Sequence, residues 1–176
     1  MHDLSPDPKN FGKIAPLLSR EGIVSLAAGS PDQPSAEILS RCTWEVLKES
    51  KGSLSRSSAE AIRSAILLFH DHLDASHTIS QSLESPEGSF LHGIMHRREG
   101  DFSNAKYWFR QVGPHPVFDS LSTAGLVESL GWNRFDPIKF VDRVRDVVGT
   151  SSPEEHVCQQ IQEAEWWFLF QYLWDE

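Results

Sequence analysis

The stretch HGIMHRREGDFSNAKYWF, residues 92–109, mixes two histidines, a run of charges and several large apolar side chains. Gly100-Asp101 divides it, and these residue types typically end one helix and cap the next. We therefore predict a helix over residues 87–98, a turn, and a second helix over residues 102–112. Polar groups placed among so many apolar ones indicate that this hairpin forms the wall of a site.

Helix signals also dominate the chain outside this stretch. Ser85, Asp136 and Ser152 are each followed by proline, the usual pairing of an N-cap with the first helical position. Alternating apolar and polar runs typical of strands are nearly absent after residue 30. We predict an all-α, single-domain helical bundle of about seven helices over residues 35–176. An irregular Pro/Gly-rich N-terminal arm over residues 1–34 precedes it.

Composition and charge limit the kinds of partner that we expect this protein to bind. The chain has 176 residues, 39% of them apolar and 23% charged, which suits one domain with a substantial core. Its net charge of −9 repels phosphate backbones, so we expect no nucleic-acid partner. No apolar run approaches the roughly 20 residues that span a bilayer, and the N-terminus lacks a signal-peptide pattern. The two cysteines, Cys42 and Cys158, are far apart in the sequence and match neither a disulfide framework nor a metal-binding motif. We expect a cytoplasmic protein without a membrane partner.

Small, aromatic and turn residues recur at regular places in residues 87–118: Gly93, the turn Gly100-Asp101-Phe102, Ala105, Phe109 and Pro116. With this pattern the segment resembles a single tetratricopeptide repeat, a two-helix hairpin. The resemblance implies that small residues let the two helices approach closely while an aromatic side chain fills their crossing. The longer string from residues 73–81 through residues 88–108 resembles a group of uncharacterised bacterial and fungal proteins. That second resemblance implies no activity, and it points only to this segment.

A polar stripe is predicted beside the hairpin. Residues 59–83 read as one long helix, in which positions i, i+4, i+7 and i+11 share a face. The members of this stripe are His70, Asp74, His77 and Gln81.

Two further histidines, His92 and His96, are four residues apart and share a face of the next helix. Two helices joined by a short link bring such faces together, and facing helices build metal sites in bundle cores. Imidazole with carboxylate suits a divalent transition metal, here Zn, Ni, Fe or Mn. The candidate metal ligands are His70, Asp74, His77, His92 and His96.

A second interpretation of the same region is an acid–base and anion pocket. Arginine and lysine bind carboxylate or phosphate groups, histidine transfers protons near neutral pH, and aromatic rings wall a ligand. The residues in these roles are Arg97, Arg98 and Lys106 as anion ligands, His77 and His92 as acid–base groups, and Tyr107 and Trp108 as walls. Alternatively, Arg97 and Arg98 form structural ion pairs with Glu99, Asp101 or Asp74.

Two classes of function remain open. In one, a His/Asp/Arg-lined pocket between the helix over residues 59–83 and the hairpin over residues 87–112 binds a small polar ligand or a metal. In the other, the protein is a non-catalytic, tetratricopeptide-like interaction scaffold with a structural histidine network. The aromatic segment over residues 163–174 is predicted to be a core helix or to complete a homodimer interface. Whether the protein is an enzyme stays open.

Overall fold

The computed structural model describes residues 8–20, 22–31 and 34–176. Throughout these residues the chain is helical and contains no β-strand, so the predicted all-α class is confirmed. The nine α-helices of the described part are α1 (Ser35–Arg41), α2 (Trp44–Lys51), α3 (Arg56–Phe69), α4 (Leu73–Ser80), α5 (Pro86–Glu99), α6 (Phe102–Val112), α7 (Pro116–Thr123), α8 (Pro137–Val147) and α9 (Pro153–Asp175).

The expected number of about seven helices is too low, and the predicted helix over residues 59–83 is in fact two helices. α3 ends at Phe69 because Asp71 adopts a left-handed backbone conformation, with φ of 63°. The amide nitrogen of Asp71 lies 3.3 Å from the Leu68 carbonyl, and that of His72 lies 2.9 Å from the Leu67 carbonyl. These two bonds form the Schellman motif that terminates helices. The apolar periodicity continues into α4, so the pattern alone concealed this break.

The helical hairpin begins and ends where its capping residues predict. Ser85 caps α5 and accepts a hydrogen bond from Gly88, with Pro86 at the first helical position. Gly100 ends α5 in a left-handed conformation, and Asp101 caps α6. Gly93 lies directly against the Phe109 ring, where an added Cβ would stand 2.8 Å from Cε2. This close approach makes α5 and α6 the most extensively packed pair of helices in the described chain.

The aromatic segment of α9 lies in the core. Trp166 stacks on Phe69, with ring centroids 4.3 Å apart, and also on Phe170, at 5.0 Å. Most large side chains of this segment are buried, including Trp167 and Trp174. The predicted core helix is therefore confirmed.

The predicted N-terminal arm contains helical structure of its own. Residues Pro8–Leu18 form a 3-10 helix interrupted at Gly12, and Phe11 packs edge-on against Phe170 and Trp174 at 5.3 Å. The described residues that follow, up to Pro31, are irregular, while residues 1–7, 21 and 32–33 of the arm lie outside the described residues. No helix of the described chain has both the length and the apolar character needed to cross a bilayer.

Candidate metal centre

Three of the predicted ligands, His77, His92 and His96, come together between α4 and α5. One ligand nitrogen from each lies within 4.8 Å of the others. The His77 ring meets His92 edge-on at a centroid distance of 5.0 Å and His96 at 5.5 Å. His92 and His96 are one helical turn apart, with centroids at 5.9 Å. The predicted i, i+4 pair therefore faces a third imidazole from the preceding helix.

The spacing of these nitrogens is close to that of a metal site. A tetrahedral zinc with bonds of about 2.0–2.1 Å holds its ligand nitrogens roughly 3.3 Å apart. Separations of up to 4.8 Å thus need to shorten by no more than about 1.5 Å. Three protein ligands leave one coordination position open.

His92 is a neutral imidazole whose orientation is fixed and whose Nε2 lone pair could bind a metal. Its side chain is buried, and its Nδ1 lies 3.2 Å from the Gly88 carbonyl, to which an Nδ1 proton donates. That bond leaves the lone pair on Nε2. Trp108 stacks on the ring with centroids 4.2 Å apart. Burial, together with the neighbouring His77 and His96, lowers the pKa of His92 to about 4, so the imidazole is neutral at pH 7.

His96 is held from two sides. Its Nδ1 lies 3.2 Å from Oε2 of Glu99, and the Asn104 side-chain nitrogen lies 3.0 Å from its Nε2. Burial lowers the pKa of His96 below its usual value, partly opposed by Glu99. Glu99 and Asn104 were not among the predicted site residues. The signal for Glu99 was its position one turn after His96, the spacing at which helical side chains meet.

His70 and Asp74 do not join the cluster. The His70 side chain is buried and its Nε2 lies 2.9 Å from the Leu17 carbonyl, towards the N-terminal segment. Asp74 is exposed in the first turn of α4. The break at Asp71 explains the displacement of His70, because the predicted stripe required one continuous helix from His70 to His77. Asp74 shares α4 with His77 but is turned to solvent.

Arg97 and Arg98 lie in the core rather than beside a ligand. Arg97 pairs with Glu165 of α9 and lies 3.3 Å from the Gln162 side-chain oxygen. Arg98 pairs with Asp71 and donates to the Leu68 carbonyl at 2.7 Å. Neither guanidinium pairs with the carboxylates that the sequence suggested. The clue to Glu165 was a carboxylate placed within the mostly apolar segment over residues 163–174.

The remaining predicted ligand residues are dispersed. Lys106 lies 2.8 Å from Asp142 of α8, and Tyr107 is exposed. Of the predicted walls, only Trp108 contacts the histidines. The predicted pocket of arginines, lysine and aromatic rings is therefore not assembled at this place.

A cleft of about 500 Å³ lies next to the histidines, between the loop around Gly29 and the start of α4. Its lining includes Asp71, Asp74 and Glu99, but not the three histidines. Glu99 consequently borders the cleft and contacts His96.

No protein-family profile, curated protein or solved structure matches this chain.

Proposed function

We propose that this protein binds one divalent transition-metal ion through His77, His92 and His96. The observation that carries the proposal is the approach of three imidazole nitrogens to within 4.8 Å of one another. Three neutral imidazole rings stabilise one another only weakly. A metal ion bound between them would accept a nitrogen lone pair from each ring.

The protonation state of the site supports metal binding. Metal ligands must be deprotonated, and the lowered pKa values of His92 and His96 keep both imidazoles neutral at pH 7. Protons therefore compete weakly with the metal. A set of three imidazoles without thiolate suits Zn²⁺, Ni²⁺ or Fe²⁺ better than the oxygen-preferring Mn²⁺.

The open coordination position is the proposed place for a small polar or anionic ligand. Such a ligand replaces water on the metal itself, since Arg97 and Arg98 are committed to Glu165 and Asp71. His77 is half-buried whereas His92 and His96 are buried, so solvent reaches the site from the His77 side. In this proposal His77 and His92 act as ligands and not as acid–base groups.

Titration of the metal-free protein with Co²⁺ and Zn²⁺ tests the proposal. We expect one equivalent of Co²⁺ to bind with visible absorption bands, and Zn²⁺ to displace it. His77→Ala, His92→Ala and His96→Ala should each weaken binding at least tenfold. His156→Ala, which removes an exposed histidine elsewhere, is the matched control and should bind as the wild type does. Equal binding by all four variants would refute the assignment.

The alternative function is an interaction scaffold in which the histidines are structural. The observation favouring it is that His96 already has two polar protein neighbours: Glu99 lies 3.2 Å from Nδ1, and the Asn104 side-chain nitrogen lies 3.0 Å from Nε2 and 3.4 Å from Nδ1. A scaffold also needs a docking surface, yet among the described residues Tyr107 is the one exposed large apolar side chain, at 52%, and the others are buried or half-buried. If His92→Gln and His96→Gln lower stability equally with and without added Zn²⁺, the scaffold is the better interpretation.

A further inference from the structure

We propose that His115 is an acid-sensitive cap: its neutral imidazole holds the first turn of α7, and protonation of that imidazole releases the turn. This inference concerns a buried histidine outside the metal centre and does not depend on metal binding. Its basis is a hydrogen bond in which one ring nitrogen of His115 is the acceptor, while the other ring nitrogen faces a carboxylate.

The N-cap of α7 differs from the other caps of its kind. In the described part of the chain, four helices have a proline at their first position: α5, α7, α8 and α9. Three of them are capped by serine or aspartate, at Ser85, Asp136 and Ser152, whereas α7 is capped by His115. Serine and aspartate accept hydrogen bonds at any pH between 5 and 8, but histidine accepts one only while it is neutral.

The protonation state of His115 follows from its hydrogen bond to the backbone. The Val117 amide donates to Nδ1 of His115 across 3.2 Å, so Nδ1 carries a lone pair and the single proton of the neutral ring is on Nε2. The imidazolium has a proton on each nitrogen and no lone pair. Because either orientation of the charged ring presents an N–H to the Val117 amide, protonation breaks the cap.

Glu87 favours protonation of His115 although the ring is buried. The side chain of His115 is only 3% exposed, and burial by itself disfavours a charge there. However, Nε2 lies 3.6 Å from Oε1 of Glu87, and the lowered pKa of Glu87 keeps this carboxylate ionised between pH 5 and 8. An anion at this distance stabilises the imidazolium.

The other titratable group packed against the ring, among the described residues, is Tyr172 of α9, with ring centroids 4.8 Å apart. Burial and the carboxylates of Glu176 and Glu87 raise the pKa of Tyr172, so this phenol stays neutral over the same range. The charge that acts on His115 therefore comes from Glu87.

The cap holds a turn that contributes to the core. Phe118 lies in the first turn of α7 and packs on Phe90 of α5 and on Phe135, at centroid distances of 5.1 and 5.7 Å. Loss of the cap therefore loosens the turn that carries Phe118. The start of α8 keeps its cap, because Asp136 does not lose its acceptor oxygens in this range.

Nitrogen NMR and amide hydrogen exchange of the full-length protein, freed of metal by a chelator, test the inference between pH 8 and pH 5. We expect the His115 ring to change from the Nε2-protonated tautomer to the imidazolium. The protection factor of the Val117 amide should fall with it by about two- to thirtyfold, the range for loss of a side-chain N-cap. The Ile138 amide, which donates to Asp136 with the same spacing at 2.9 Å, is the internal control and should keep its protection.

Variants separate the parts of this device. His115→Asn keeps a capping side chain that does not titrate, so the acid response of Val117 should disappear, whereas His156→Asn, at an exposed histidine, should retain it. Glu87→Gln should move the titration of His115 to a lower pH. Helicity is checked for each variant, and the wild-type measurement decides alone if a variant fails to fold.

Three results would each overturn the inference. The first is constant protection of Val117 between pH 8 and pH 5 in the wild type. The second is a His115 tautomer at pH 8 with its proton on Nδ1. The third is an acid response that persists in folded His115→Asn. None of these measurements involves the three histidines of the metal centre, so their outcome is independent of the proposed function.

Discussion

Several buried polar residues of this protein are held by specific contacts. His92 is covered by Trp108 and bonded to Gly88, and His96 lies between Glu99 and Asn104. Burial without partners would be costly, so each such contact fixes the direction in which a donor or acceptor points. The residues with buried polar side chains are thus where single substitutions should have their clearest effects.

Glu87 should make stability depend on acid pH. His115 lies 3.6 Å from this carboxylate and, with Ser85, lowers the pKa of Glu87 to about 2. Because the folded pKa lies below the ordinary 4.5, the stabilisation is complete above about pH 4.5 and disappears as the pH falls towards 2. We expect Glu87→Gln to cost up to about 3 kcal/mol at pH 7 and progressively less below pH 4.5.

Urea unfolding at a series of pH values measures this difference. Glu84→Gln, three residues earlier and exposed, provides the baseline. A loss of stability in Glu87→Gln that is the same at pH 7 and pH 2.5 would mean that ionisation of Glu87 contributes nothing.

Gly93 should tolerate no side chain. An added Cβ would stand 2.8–2.9 Å from three carbons of the Phe109 ring, which is itself buried in the core. We expect Gly93→Ala to lower the free energy of unfolding by about 1–3 kcal/mol, as overpacking does. Combining it with Phe109→Leu should recover part of this loss relative to Phe109→Leu alone. Fully additive losses in the double variant would contradict the steric explanation.

At the scale of elements, the break between α3 and α4 organises the molecule. Asp71 in its left-handed conformation receives Arg98 from α5 and Arg20 from the N-terminal segment. Arg98 also donates to the Ser25 carbonyl at 3.1 Å. One helix end, one neighbouring helix and the N-terminal segment are therefore tied together by a buried network of charges.

Removing the charge of Asp71 should loosen these elements. Asp71→Asn keeps a residue that accepts the left-handed conformation but leaves Arg98 buried without its counter-ion, a change that typically costs about 3–5 kcal/mol. Hydrogen exchange should become faster in residues 22–31. Asp74→Asn, three residues later and exposed, should change stability by less than about 0.5 kcal/mol. Similar effects in both variants would argue against the network.

Local signals in the sequence predicted the elements and part of the site. Ser85, Gly100 and Asp101 marked the hairpin because capping depends on neighbours within a few residues. The pair His92 and His96 followed from helical spacing. The partners of Arg97 and Arg98 were missed because they lie 68 and 27 residues away along the chain.

The loss of His70 from the predicted ligand set has a related cause. Its place on one stripe with His77 required a continuous helix, whereas a helix end lies at Asp71, which makes a tertiary ion pair with Arg98. Asp74 is on the same helix as His77 but is exposed. Asn104 was not among the predicted site residues either, although its contact with His96 lies within the predicted hairpin.

At the scale of the whole molecule, a metal bound by the three histidines would cross-link α4 to α5. A ligand that binds only the folded state stabilises it by about 2.7 kcal/mol at 100 times its Kd. We expect Zn²⁺ at that concentration to raise Tm by roughly 5–10 °C for a chain of this size. A chelator should reverse the shift, and the combined His77→Ala, His92→Ala, His96→Ala variant should show none. A shift of equal size in that variant would reveal binding elsewhere.

Metal content tests the central claim most directly. The protein is expressed without a histidine tag, purified, loaded with Zn²⁺, dialysed and measured by elemental analysis beside a His92→Ala, His96→Ala variant. We predict close to one equivalent of metal per chain in the wild type, removed by chelation, and almost none in the variant. Absence of retained metal in the folded wild type, or equal amounts in both proteins, would contradict a metal centre at these histidines.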